Sequence, residues 1–209
     1  SNAPYFLPDE RWGARMGDKK VIDLMVHDGL WCPFYDRHMA IHGSEVSEEY
    51  GISRLEQDEF ALRSQKLAVK AIEEGKLKGQ ISPVEITDRK GRVTVVENDE
   101  APRADSSLEV MGKLPPVFSK TGSVTAGNAP GVNDGAAALV IMSREKAEEL
   151  GLEVLATLVD YAEVSQEAKY IATVPGLSTK KLLEQNNLKP EDIDVYEVNE
   201  AFAAVPLVS

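Results

Sequence analysis

The chain has 209 residues, 43% of them hydrophobic and 28% charged, enough to bury a core in one or two domains. A net charge of -12 disfavours nucleic-acid partners, because an acidic surface repels phosphate backbones, and any anionic ligand needs a local basic patch. The single cysteine, Cys32, excludes an intramolecular disulfide and fits a reducing compartment, and no run of roughly 18 apolar residues offers a membrane span.

Residues 1–43 carry prolines at 4, 8 and 33, the aromatics Tyr5, Phe6, Trp12, Trp31, Phe34 and Tyr35, and all three histidines. This is too aromatic for a disordered tail and predicts a packed loop region with short helices. Ser44 is expected to open a short helix ending near Gly51. Ser53 opens a longer one: in Ser53-x-x-Glu56 the hydroxyl caps one amide and the carboxylate reaches back to another. Phe60, Leu67, Ala68, Ala71 and Ile72 form an apolar stripe at helical spacing, and Gly75 is placed to end it. The alternating runs "ISPVEIT" and "RVTVVEN" flank "DRKG" and predict a hairpin over residues 81–97, followed by a polar loop, "DEAPRADSS".

From residue 136 the pattern becomes α/β. "AAALVIM" reads as a short apolar strand, Ser143 as the cap of the helix "REKAEEL", and Gly151 as its stop. "VLATLVDYAEV" reads as a second strand, residues 176–187 as a helix, and "IDVYEV" as the last strand. Strands apolar on both faces, alternating with helices, predict a layered sheet covered by helices. A helix-rich, hairpin-bearing part thus ends near residue 123 and an α/β part follows.

Four stretches hold candidate chemistry. "GSVTAGNAPGVNDGAAALVIMS", residues 122–143, places four glycines and two asparagines ahead of a buried strand. It is either a tight crossover loop or a loop that presents amide N–H groups to a ligand, and composition alone favours the former. His38 and His42 are four apart and would share a face on a helix, but no third ligand stands at metal spacing. A histidine bonding a substrate amide, beside Met39 lining an apolar slot, competes with a packed loop histidine. Cys32 precedes a proline among large aromatics and reads as a small buried residue, not a nucleophile. Asn199, at the carboxyl end of "IDVYEV", either aims at a ligand there or caps a helix starting at Glu200, and both roles are compatible.

"GSVTAGNAPGVNDGAAALVIMSREKAEELGL" and "DIDVYEVNEAFAAV" resemble the thiolase family, in particular its acetyl-CoA acetyltransferases. So do "SNAPYFLP", "HDGL", the "HM" pair and "YGISRLEQDEFALRSQKLAVKAIEEGK", so the likeness runs over essentially the whole chain. It implies an α/β, layered αβαβα fold, here partial, with an inserted helix-rich loop domain that holds coenzyme A. It implies acyl transfer between coenzyme A thioesters through a cysteine acyl-enzyme, with a second cysteine and a histidine handling protons and two oxyanion holes stabilising the thioester oxygens. Coenzyme A is then a substrate, and no metal or redox cofactor is needed. The expected partners are an acyl-CoA and further copies of the chain, in dimers or tetramers, with no nucleic acid and no membrane; the expected compartment is the cytoplasm, or an organelle in a eukaryote.

The resemblance also assigns residues. His38 and Met39 match the "HM" pair of the pantetheine and acyl pocket, Arg103 the basic residue at the adenine end, and Phe118 a pocket aromatic. Ala126 and Gly127 belong to the loop that lines the same site. Asn199 matches the asparagine that holds the catalytic water of the first oxyanion hole, and Phe202 packs beside it. Residues 1–123 correspond to the loop domain and its connections, 124–150 to the end of the N-terminal half, and 151–209 to the start of the C-terminal half. The family's nucleophilic cysteine lies upstream of "SNAPY", and its "GHP" histidine and second cysteine lie downstream of "NEAF", so the 209 residues alone are expected to be inactive. Pro130 stands where the family has a serine that contacts pantetheine, and proline offers neither hydroxyl nor N–H. The opening "SNA" is a tag scar or native sequence, and the fit of "SNAPYFLP" to the family favours native. A 3-ketoacyl-CoA thiolase of longer chain specificity and a non-catalytic CoA-binding remnant are the alternatives.

Overall fold

A computed structural model describes residues 2–209. In chain order the elements are β1 (Tyr5–Phe6), β2 (Ile22–Asp23), α1 (Leu24–Gly29), β3 (Trp31–Cys32), β4 (Arg37–His38), α2 (Met39–Glu49), α3 (Arg54–Glu73), β5 (Val84–Thr87), β6 (Val93–Val96), α4 (Leu108–Gly112), α5 (Arg144–Glu149), α6 (Val174–Gln185) and α7 (Ala204–Val208). The chain divides into two compact units, one of Ser1–Met39, Val132–Asn199 and Ser209, the other of Ala40–Gly131 and Glu200–Val208.

In the first unit the aromatic-rich start holds the short helix α1 within the expected loop region and adds two small antiparallel sheets that were not predicted. Tyr5 pairs with Asp23 and Phe6 with Ile22; Trp31 pairs with His38 and Cys32 with Arg37. Asp23 then caps α1, its carboxylate accepting the Met25 N–H at 2.9 Å. The β3–β4 turn passes through Asp36 at φ 48°, a left-handed conformation that aspartate tolerates, and the Asp36 carboxylate accepts the Trp31 indole N–H at 2.9 Å. The Tyr35 hydroxyl donates to Glu167; that hydrogen bond, with burial and the carboxylate's charge, pushes the phenol pKa up.

Ser143 caps α5, accepting the Lys146 N–H at 3.2 Å, and Gly151 ends it at φ 62°. Pro175 sits in the first turn of α6, where its missing N–H costs no helical bond; the helix begins at Val174, two residues before the predicted start.

The three strands predicted after residue 136 do not form. Among the described residues, 136–142, 154–164 and 193–198 join no sheet. Leu139 is 86% exposed and Leu155 93%. An apolar run becomes a strand only when a neighbour takes up its N–H and C=O groups, and no described segment does so.

In the second unit the Ser53–Glu56 capping box is complete and opens α3. The buried face of α3 is Gln57, Asp58 and Leu62; Leu67 of the expected stripe is exposed, and Phe60, Ala68, Ala71 and Ile72 are half-buried. The predicted hairpin is present as β5–β6, with Val84 opposite Val96 and Thr87 opposite Val93. The core gathers Val46, Leu62, Met111, Val124, Ala204 and Val205. Gly43 of α2 lets Phe202 approach: a Cβ there would stand 3.1 Å from the Phe202 ring. The helix α2 begins at Met39, five residues before the predicted Ser44, because the Ser44 hydroxyl is not a cap; it donates to the Ala40 carbonyl at 3.1 Å inside the helix.

Candidate functional site

The glycine-rich loop has a defined shape in the second unit. Pro116 bridges to Thr125, and the Val117 N–H donates to the Val124 carbonyl at 2.9 Å, so the segments on either side of Phe118 and Thr121 run antiparallel. Ser44 accepts the N–H groups of Ser123 and Val124, each at 3.1 Å. The loop then winds around one side chain. The Asn128 carboxamide oxygen accepts the Thr125 N–H at 2.8 Å, and its nitrogen donates to the Ser123 carbonyl at 3.0 Å and to Asp58 at 2.9 Å. The Gly127 N–H donates to the Thr125 hydroxyl at 3.2 Å. Val124, Thr125 and Asn128 are buried, Gly127 is half-buried and Ala126 is exposed, so Ala126 forms the outward tip.

Phe118 lies beside this loop, 58% exposed and at φ 59°, a backbone position unusual for a bulky residue and held by the pairing before it. The Ala203 N–H donates to the Asn128 carbonyl at 2.9 Å, which seats half-buried Phe202 next to the loop. Ala126, Gly127, Phe118 and Phe202 are thus gathered by one set of backbone bonds. Arg103 is held elsewhere in the unit: its N–H donates to the Gln65 side chain of α3 at 2.8 Å, and its side chain is exposed.

His38, Met39 and Asn199 belong to the first unit. His38 is buried at the end of β4, and burial pushes its pKa below the ordinary histidine value. His38 and His42 lie in different elements, β4 and α2, so the shared helical face does not arise. Met39, half-buried, is fixed at the start of α2 by its N–H, which donates to the Leu30 carbonyl at 2.9 Å. Asn199 is exposed and does not cap a helix, since α7 begins at Ala204 and not at Glu200. Cys32 is buried, 4% exposed, in β3. Among the described residues no group of three His, Cys, Asp or Glu side chains could hold a metal ion, and no helix is long and apolar enough to cross a membrane. A surface cleft lined by Phe6, Leu7, Pro8, Glu10 and Arg11 contains none of the assigned residues.

Sequence reasoning assigned no role to Ser44, Arg54 or Asp58 in the site. The Arg54–Asp58 spacing of four was legible as a helical ion pair, but its burial was not.

Comparison with known proteins decides the family. The N-terminal domain model of thiolase matches residues 1–145, and the C-terminal domain model matches residues 152–209. The chain belongs to the thiolase family. An acetyl-CoA acetyltransferase of Pseudomonas aeruginosa is 45% identical over 207 residues, covering 99% of this chain and 53% of the relative. One from Cupriavidus necator is 46% identical, again covering 99% of this chain and 53% of its own length. Among solved structures, the acetyl-CoA acetyltransferase of Syntrophomonas wolfei superposes with a TM-score of 0.92 at 48% identity, covering 99% of this chain and 52% of that one. This thiolase chain therefore has the α/β thiolase fold in part, and spans about half the length of the curated relatives it matches.

Proposed function

We propose that this thiolase chain supplies the coenzyme A- and acyl-binding part of an acetyl-CoA acetyltransferase. The observation that carries the reading is the likeness, along 99% of the chain and at 48% identity, to the enzyme of that name from Syntrophomonas wolfei. The geometry of the second unit supports it. A loop anchored by buried polar bonds turns an exposed tip, Ala126, toward solvent, and the segment paired with it carries the exposed ring of Phe118. Such a surface can take the extended, amide-bearing pantetheine arm. Arg103 is an exposed cation in a chain of net charge -12 and suits the phosphates at the adenine end.

In this reading His38 and Met39 line the pantetheine and acyl pocket, where burial favours the neutral form of the His38 imidazole. Asn199 holds a water that donates to the thioester oxygen as negative charge develops there. The acyl group passes to a cysteine thiolate with coenzyme A as the leaving thiol, and then to the second substrate. Cys32 is not that cysteine, because it is buried in β3. The reaction is condensation of two acetyl-CoA to acetoacetyl-CoA and CoA, or its reverse, in a homo-oligomer of the complete enzyme. Residues 1–123 form the loop domain and its connections, 124–150 the end of the N-terminal thiolase half and 151–209 the start of the C-terminal half; the gap between the two matched models, 145 to 152, supports the second boundary.

Titration of the 209-residue chain with CoA, together with a turnover assay on acetoacetyl-CoA and CoA, tests the reading. Saturable CoA binding without turnover is expected. No binding, or turnover by the chain alone at rates typical of enzymes, overturns it.

A further inference from the structure

Asp58 is 3% exposed, an unusual place for a carboxylate, on the buried face of α3. Its two oxygens face different segments. One accepts the Arg54 Nε–H at 2.8 Å and the other the Asn128 side-chain N–H at 2.9 Å. Arg54 continues outward, donating to the carbonyls of Met111 at 2.7 Å and Leu114 at 3.2 Å at the end of α4. A single carboxylate therefore joins α3, the end of α4 and the glycine-rich loop.

The chemistry of the pair carries the inference. A carboxamide has one acceptor end and one donor end, and in outline the two are nearly interchangeable. The loop needs the Asn128 oxygen toward the Thr125 N–H and the nitrogen toward the Ser123 carbonyl. An ionised carboxylate only accepts, so Asp58 admits only the donor end of Asn128 and sets this orientation. The loop packs against the segment after α4 at Gly127, where an added Cβ would stand 2.7 Å from the tip of the Leu114 side chain. A buried ion pair is weak grounds for stability, since an apolar pair of the same volume often does as well.

We propose that Asp58 is a positioning residue: through Asn128 it sets the conformation of the 123–128 loop and hence the surface that meets the pantetheine arm. The ligand in this statement rests on the function proposed above; the loop geometry does not.

The test uses Asp58→Asn, which keeps the volume but brings a donor against either Arg54 or Asn128, and the exchanged pair Asp58→Asn with Asn128→Asp. In the exchanged pair the carboxamide now at position 58 donates to the carboxylate now at position 128. That carboxylate still accepts the Thr125 N–H, while the Ser123 contact is lost. Leu62→Val, in the same helix, serves as a control for general destabilisation. Amide hydrogen exchange at residues 125–128 and CoA dissociation constants are measured on all of them. Asp58→Asn should speed exchange at the loop and weaken CoA binding by about tenfold to a hundredfold, the scale on which small misplacements act. The exchanged pair should recover most of both losses, and the control should show neither. If loop exchange in Asp58→Asn merely follows its melting temperature as the control does, or if the exchanged pair recovers nothing, the proposal is overturned. If the unaltered chain binds no CoA, the functional reading fails, and the exchange measurement alone decides the role of Asp58. If Asp58→Asn does not fold, Asp58→Glu, which keeps the acceptor but moves it by one methylene, is read on the same measurements.

Discussion

The Ser44 hydroxyl on α2 accepts the N–H of Val124, 80 residues away in the chain, at 3.1 Å, and Val124 is 0% exposed. The same oxygen accepts the Ser123 N–H, and the hydroxyl donates to the Ala40 carbonyl, so one small side chain ties the start of the loop to the helix. Ser44→Ala leaves two loop N–H groups without this acceptor, one of them fully buried. The expected loss is about 2–3 kcal/mol of unfolding free energy, within the range for an unsatisfied buried donor. Chemical denaturation checks it, and a loss below about 0.5 kcal/mol would show that water replaces the hydroxyl.

The capping box of α3 gives a second quantity. The Ser53 hydroxyl and N–H both lie 2.7 Å from the Glu56 carboxylate, and these bonds hold the Glu56 pKa below its ordinary value. Ser53→Ala should cost about 1 kcal/mol. Because the two residues act as a unit, Ser53→Ala combined with Glu56→Ala should cost less than the sum of the single changes, as measured in a double-mutant cycle.

Burial of His38 predicts a pH dependence with a defined sign. The folded protein favours the neutral imidazole, so its pKa lies below the ordinary 6.5. Between those two values the unfolded chain binds more protons than the folded one, and stability therefore falls as pH drops through this window. His38→Gln should flatten the dependence of the denaturation midpoint on pH between about 7 and 5. An unchanged slope would assign it to other groups.

Pro130, exposed at the end of the loop, stands where the family resemblance places a serine against pantetheine. Pro130→Ser should tighten CoA binding by about two- to tenfold, equivalent to one new hydrogen bond of about 0.5–1.5 kcal/mol. Isothermal titration of the two proteins measures it; equal or weaker binding would mean that the arm does not pass residue 130.

Local features were legible wherever the signal lies within a few residues. Ser53 with Glu56, Ser143 before α5, Gly151 after it and the turn at "DRKG" each specify their element through bonds between near neighbours in the chain. The glycine-rich loop was visible as a loop, and the family motifs singled out Phe118, Ala126, Gly127 and Phe202, which the second unit gathers. The role of Ser44 was misread because a serine before an apolar run looks like a cap, and only the facing loop shows where its hydroxyl goes. The apolar runs at 136–142, 154–164 and 193–198 look like strands, yet a strand is a relation between two stretches of backbone, and no described segment completes them.

By itself the sequence determined the family, the caps of α3 and α5 and the β5–β6 hairpin, because motif order and short-range hydrogen bonds are written in consecutive residues. Only the tertiary structure decided that Gln57, Asp58 and Leu62 rather than the apolar stripe form the buried face of α3, and that Asn128 is the pivot of the loop. Those assignments depend on which polar atoms meet across 70 residues of chain, and burial makes their pairing obligatory.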